Sequence, residues 1–280
     1  MRNSRNGGGR RGSRRRLLLG VGVGLLLLAL GFVGIRFRTA SGRQFPGSAS
    51  TDPLAPLPRV MFWAWERHED LRTNDPRAVG VAYLSKTLFL RQDTVVTRPR
   101  LQPLQVPPAT VLIPVIRIEV DRFSPPTLES GQRMRVVEEI AAMSRASTIP
   151  AVQVDFDAKT SERAFYRAVL HDLRQELPDT TRISITALAS WCLADNWLAG
   201  LPIDEAVPML FRMGADRQRV LFHLQTGGDV RCRPTQQSLG IATDEPLPHM
   251  PSGRRVYVFS PRAWAPVSVR TALEEVKQWQ

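Results

Sequence analysis

Residues 111–176 read VLIPVIRIEV DRFSPPTLES GQRMRVVEEI AAMSRASTIP AVQVDFDAKT SERAFYRAVL HDLRQE. Two short runs rich in β-branched residues, 111–118 and 151–156, are strand candidates. Each precedes a segment with apolar residues at helical spacing: Met134, Val137, Ile140, Ala141 and Met143 in the first, Phe165, Val169, Leu170 and Leu173 in the second. Working outward, six further runs of the same kind occur at 60–65, 80–84, 183–188, 206–211, 238–243 and 255–259, and Pro266 opens a closing helical segment. Eight strands alternating with helical segments predict an α/β protein, a (β/α)8 TIM-like barrel over 59–280, close to the roughly 250 residues such a barrel needs. The alternation is irregular at one place. Residues 87–106 (TLFLRQDTVVTRPRLQPLQV) lack a helical pattern and predict an extra β-hairpin after strand 2, with Gln92 and Asp93 at its turn.

Upstream of the barrel, residues 17–35 (LLLGVGVGLLLLALGFVGI) are uncharged and apolar, long enough as a helix to span roughly 30 Å of hydrocarbon. Seven Arg precede them, so the positive-inside rule keeps 1–16 in the cytoplasm and sends the rest of the chain outward. The reading is a single-pass signal anchor in the inner (cytoplasmic) membrane, with the barrel in the periplasm or outside the cell. Residues 36–58, rich in Pro, Gly and Ser, read as a flexible linker. A cleaved signal peptide, with Gly47-Ser48-Ala49 as its site, is the competing reading, and Arg14-Arg15 resembles a twin-arginine export signal. Export would put Cys192 and Cys232 in an oxidising compartment where they can pair; two separate core thiols are the alternative.

The formal charge of +12 is concentrated in this leader. Residues 1–43 hold ten Arg and no acid, which leaves the rest of the chain with 28 basic and 26 acidic residues, so no nucleic-acid partner is expected. Four His lack the spacing of a zinc site, no glycine loop precedes a helix with Lys-Ser or Lys-Thr, and Gly-x-Ser-x-Gly is absent. No metal and no cofactor are expected.

In barrels of this class, function sits where the strands end. Those ends are polar here: Trp65-Glu66 after strand one, Arg117 and Glu119 in strand three, Asp155 and Asp157 in strand four, Trp191 after strand five, Arg212 after strand six, Asp244-Glu245 after strand seven. Alternation puts Gln153, Asp155 and Asp157 on one side of strand four and Val152, Val154 and Phe156 on the other, which must face the helices. Two carboxylates then enter the barrel mouth beside Glu119 and Arg117. Paired acids are the equipment of glycoside hydrolysis, in which one gives a proton and the other acts as nucleophile or base. The expected catalytic residues are Asp155, Asp157 and Glu119; the expected substrate-binding residues are Arg117, Glu66, Trp65, Trp191, Arg212, Asp244 and Glu245. A structural ion-pair network of the same side chains, with the tryptophans in the core, is the alternative.

The segments VQVDFDA (152–158), SITALASW (184–191), VPMLFRMG (207–214), SLGIATDEP (238–246) and MFWAWER (61–67) resemble the uncharacterised bacterial family called domain of unknown function number 3142. That resemblance implies no activity. A more distant one is to glycoside hydrolase family 18, whose fourth strand ends Asp-x-Asp-x-Glu with the Glu as acid. It implies that Asp157 stands in the acid's place. The chain departs from that pattern: Gln153 replaces the first Asp, the acid is one methylene shorter, and Phe211-Arg212 replaces the Tyr-Asp of strand six.

The expected function is therefore that of a membrane-anchored, outward-facing barrel of glycoside-hydrolase type acting on an envelope or exported polysaccharide. An inert carbohydrate-binding or scaffold protein on the same fold is the alternative, and an exported protein-interaction module is a third class. For the anchor, the expected result is a protein that sediments with membranes and keeps its N-terminal sequence. Recovery of a soluble form beginning near Ser50 would show cleavage instead.

Overall fold

The computed structural model describes residues 54, 57–147, 149–193, 195–230, 233–247 and 250–277. The apolar segment 17–35 and Cys232 lie outside them, and no helix among the described residues is long and apolar enough to cross a membrane. In chain order the strands are β1 (Val60–Ala64), β2 (Glu69–Asp70), β3 (Val79–Arg91), β4 (Thr94–Pro99), β5 (Leu104–Gln105), β6 (Leu112–Val120), β7 (Ala151–Asp155), β8 (Arg182–Leu188), β9 (Glu205–Met209), β10 (Ser238–Ala242) and β11 (Arg255–Phe259). The helices are α1 (Ser130–Ala146), α2 (Arg163–Glu176), α3 (Ala189–Leu193), α4 (Arg217–Gln225) and α5 (Pro266–Lys277).

Eight of these strands form a closed parallel ring in the order β1, β3, β6, β7, β8, β9, β10, β11. Closure is made at β1, where Val60 is in register with Val79 of β3 on one side and Val256 of β11 on the other. The eight are the eight runs expected from the sequence, and the architecture is a TIM-like α/β barrel. Its outer layer is incomplete. Long helices follow only some strands: α3 has five residues, and the described residues between β10 and β11 hold no helix. α2 shows why the long ones dock. Phe165, Tyr166, Val169, Leu170 and Leu173 make one stripe, all buried against Val152, Val154 and Phe156 on the outer face of β7, and each such side chain contributes roughly 1.5–3 kcal/mol by leaving water.

The hairpin differs from its expected form in two ways. The second barrel strand does not end near Leu84 but runs on to Arg91, so it is itself the hairpin's first arm, with β4 antiparallel to it and Gln92 at the turn with φ 45°. Leu104–Gln105 does not belong to the hairpin; it pairs in parallel with Glu69–Asp70. The linker reading also ends earlier than expected: Leu54 and Leu57 are buried at the bottom of the barrel with Met61, Ile113 and Tyr257.

Because strand side chains alternate, half of them must be packed inside the ring. Here much of that interior is polar. Glu205, with no exposed surface, accepts from Ser184 Oγ at 2.6 Å, Tyr257 Oη at 2.9 Å and Arg255 Nη1 at 3.1 Å, and also from Ser238 Oγ. Arg255 reaches further, donating to the backbone oxygens of Leu54 at 2.7 Å and Pro58 at 3.1 Å. Above this layer Gln153 donates to Ser184 Oγ at 3.0 Å and accepts the Trp63 indole N–H at 2.7 Å. The indole fills the centre of the barrel over Gly240, where a Cβ would lie only 2.7 Å from Trp63 Cη2.

Breaking the buried Glu205–Arg255 pair from one side leaves a charge uncompensated. Glu205→Gln is expected to cost about 3–5 kcal/mol in urea unfolding followed by tryptophan fluorescence. Asp216→Asn, which breaks the exposed Arg219–Asp216 pair, is expected to change stability by no more than about 0.5 kcal/mol.

Candidate functional site

At the C-terminal ends of the strands the ring opens into a cleft of about 400 Å³ lined by residues from β1, β3, β4, β6, β7, β8, β9 and β11 and the turns beyond them. Its floor is set by register. Arg117 of β6 stands opposite Asp155 at the end of β7, and the strand alternation that buries Ile116 and Ile118 under α1 turns Arg117 and Glu119 inward. Arg117 Nη1 donates to Asp155 Oδ2 at 2.8 Å and its Nε to Glu119 Oε1 at 2.7 Å. The other Asp155 oxygen accepts Thr186 Oγ1 at 2.6 Å from β8. Asp155 is 3% exposed, so this carboxylate is a buried group with both oxygens engaged.

Asp157 differs in every respect. It lies two residues past the end of the alternation, lines the same cleft, keeps an exposed face, and has no hydrogen bond or ion pair among those of the described residues. Its pKa is pushed from 3.8 up to about 6, first by the protein that crowds out water on its inner side and then by the negative charge of Asp155, with Arg117 pulling the other way. Two acids two residues apart thus have opposite environments. That division of roles is how one site runs proton transfer near neutral pH.

The remaining walls are aromatic and cationic. Trp65 stands edge-on to Phe259 and has the Arg117 guanidinium 5.8 Å from its ring centre; Phe211 stacks on Phe259 at 5.5 Å with planes 3° apart. Glu66 pairs with Arg98 at 2.9 Å. Arg212 holds a left-handed backbone, φ 54°, a conformation that costs a non-glycine residue strain. The strain is offset by Glu245, whose carboxylate takes the Arg212 N–H at 3.2 Å and also pairs with its guanidinium and with Arg217. Asp244 holds the other edge of that guanidinium at 2.6 Å.

Of the residues expected at the site, Asp155, Asp157, Glu119, Arg117, Glu66, Trp65 and Arg212 line the cleft together. Asp244 and Glu245 do not line it, but they set Arg212, which does. Trp191 is a correction. It is 3% exposed and packs at 4.9 Å against Trp197 in the layer outside the ring, because α3 begins directly after β8 and turns it away from the mouth. The sequence reading missed Thr87, Arg98 and Phe259. Thr186 was legible at the polar end of the fifth strand run, where it alternates with Ser184 on β8 just as Asp155 does with Gln153 on β7; Arg98 was not, because it comes from β4, which lies outside the eight-strand pattern. Among the described residues no group of His, Cys, Asp and Glu has the arrangement of a metal site. Cys192 is buried, and its Sγ lies 3.5 Å from the Leu188 carbonyl oxygen.

The fold and cleft define a TIM-like barrel with an acidic and aromatic site at its functional face. Residues 110–227 match the model of the family described as Domain of unknown function (DUF3142). The matched stretch runs from β6 through α4 and contains Arg117, Glu119, Asp155, Asp157 and Thr186. No curated protein and no solved structure matches the chain.

The raised pKa of Asp157 makes a stability prediction. Its folded pKa lies above the unfolded value of 3.8, so the protonated group favours the folded state, and that contribution is lost as pH rises through about 6. Asp157→Asn removes the ionisation. The variant should melt at a higher temperature than the unmodified protein above pH 6, with the difference shrinking to nothing as pH falls below the unfolded pKa of 3.8. A variant less stable at pH 7.5 would show that Asp157 is instead a stabilising partner of Arg117.

Proposed function

We propose that the cleft binds sugar and that Asp157 exchanges the proton in cleavage of a glycosidic bond. The observation that carries this reading is the contrast between the two acids: Asp155 is buried with both oxygens engaged, while Asp157 is unpartnered, faces the cleft and has a pKa of about 6. A carboxylic acid whose pKa is raised to about 6 keeps a protonated fraction near neutral pH that can protonate a departing oxygen, and a neighbouring charge stabilises the positive charge that develops on the sugar ring. Glu119, with one oxygen held by Arg117, is a further carboxylate lining the cleft. Trp65 and Phe259 supply flat apolar faces of the kind on which a sugar ring stacks.

The leader supports a location for this chemistry. Nineteen apolar residues after seven Arg support a membrane anchor with the barrel facing outward, so the substrate would be an envelope or exported polysaccharide. A second reading, a sugar-binding protein that cleaves nothing, is favoured by the ties of Glu119 to Arg117 and of Glu66 to Arg98, which each occupy one oxygen of the acids that line the cleft besides Asp155 and Asp157.

The test is turnover of a panel of aryl glycosides and neutral polysaccharides. The unmodified protein should lose activity as pH rises through about 6, and Asp157→Asn should be at least about 100-fold slower, without that pH limb. Equal turnover by the two proteins overturns the assignment of Asp157. Binding without any turnover by the unmodified protein selects the second reading.

A further inference from the structure

The cleft is not a symmetrical bowl. Arg117 is level with the last residue of β7, but β6 continues three residues further to Val120, and β3 stays in register with it to Leu90. At roughly 3.3 Å per residue this raises a wall about 10 Å above the acids on one side of the mouth. β4 widens the wall, with Leu88 opposite Thr97, Phe89 opposite Val96 and Thr87 opposite Arg98.

The two faces of the wall differ sharply. Leu88, Leu90, Ile116 and Ile118 are buried with Val136, Val137 and Ile140 of α1. The opposite face begins inside the cleft with Thr87, Arg98, Arg117 and Glu119 and continues upward through Phe89 and Val96, since Phe89 is in register with Glu119 and with Val96. Val96 is 46% exposed, and the Arg98 guanidinium carbon lies over the Phe89 ring, 5.1 Å from its centre. No packing requirement of the barrel puts an aromatic ring and a valine on an open sheet face that leads out of a cleft.

The wall is also held rigid. Gln132, 1% exposed on α1, donates to the Thr94 carbonyl at 2.7 Å, and the Gln92 carbonyl at the hairpin tip accepts Thr127 N–H at 2.7 Å. A surface already ordered before it meets a ligand loses little entropy on binding.

We propose that this face is a row of outer subsites for an uncharged glycan chain, so that the cleft engages part of a polymer that continues up the wall rather than a small glycoside. This inference rests on the sugar reading of the cleft. The uncharged class follows from the pairing of the cations. Arg98 is matched by Glu66, Arg91 by Asp121, Arg117 by Asp155 and Glu119, and Arg212 by Asp244 and Glu245. Among the described residues, no guanidinium that lines the cleft is left without a carboxylate to neutralise a uronate or sulfate. What the pairs still offer is side-by-side donors and acceptors, which suit hydroxyl groups that both give and take hydrogen bonds, between apolar surfaces for the carbon faces of the rings.

The experiment is calorimetric binding to the full chain in detergent, with glucose-, xylose-, mannose- and N-acetylglucosamine-based oligomers of two and six units as probes. In the Asp157→Asn background cleavage is removed from the measurement. For the series that binds, the hexamer is expected to bind at least about tenfold tighter than the dimer, as one or two added ring contacts would give. Phe89→Ala should collapse that ratio toward one and Phe89→Trp should keep it. Val96→Asp, at an exposed position, gives the same collapse independently should Phe89→Ala fold poorly. Equal affinity for dimer and hexamer, or a ratio untouched by both Phe89→Ala and Val96→Asp, overturns the wall subsites while leaving the cleft assignment intact. Tighter binding of polygalacturonate than of every neutral oligomer overturns the uncharged class. Binding of no probe overturns the sugar reading itself.

Discussion

Glu205 is a carboxylate with no exposed surface inside a ring of eight strands, and the barrel is arranged around keeping it satisfied. An isolated charge in such a place is excluded by its desolvation cost. The side chains that meet it come from β9's two neighbours, β8 and β10, and from β11, whose Arg255 in turn reaches the backbone of Leu54 and Pro58. One carboxylate therefore ties together half of the ring and the segment that enters beneath it. Each of these partners has to arrive on the inner side of its strand, which leaves the register of the strands no freedom to slip by one residue.

The polar interior continues upward and becomes the cleft. Ser184 serves both Glu205 below and Gln153 above, and Gln153 holds the indole of Trp63 at the centre. Two residues further along the same strands stand Asp155 and Thr186, bonded to each other. The cleft is thus the top layer of one hydrogen-bonded stack rather than a separate feature laid on the fold. That continuity makes Asp155 a positioned and immobile charge. It also isolates Asp157, which lies past the last layer, with crowding protein on one side, a negative neighbour beneath and no partner of its own. A group in that position costs stability when ionised and holds its proton to a higher pH than an ordinary aspartate, which is the trade commonly made at functional sites.

The incomplete outer layer serves the same end. Where helices cover the ring, as α1 and α2 do over β6 and β7, the strands beneath carry the acids and are rigidly packed. Where the second unit replaces its helix with a hairpin, β3 is free to extend, and its extension forms the wall beside the mouth. α1 is the hinge of this arrangement: it packs beneath the wall with its apolar face and pins the hairpin with Gln132.

The barrel was legible from residues 111–176 outward because its determinants are local. Period-two runs of Val and Ile and the helical stripe of α2 record in the chain which side of each element is buried. The direction of Asp155 was legible for the same reason, since Val152, Val154 and Phe156 had to face the helices. The contrast between Asp155 and Asp157 was not, because it depends on Arg117 and Thr186 arriving from two other strands. Nor was the burial of Trp191, which α3 turns outward, or the role of Glu245, which is fixed only when Arg212 takes its left-handed turn 33 residues away in the chain. Alternation says which side of a strand a residue occupies; the charge, partners and solvent that it meets there are set by neighbours distant in sequence, and only ring closure determines which neighbours those are.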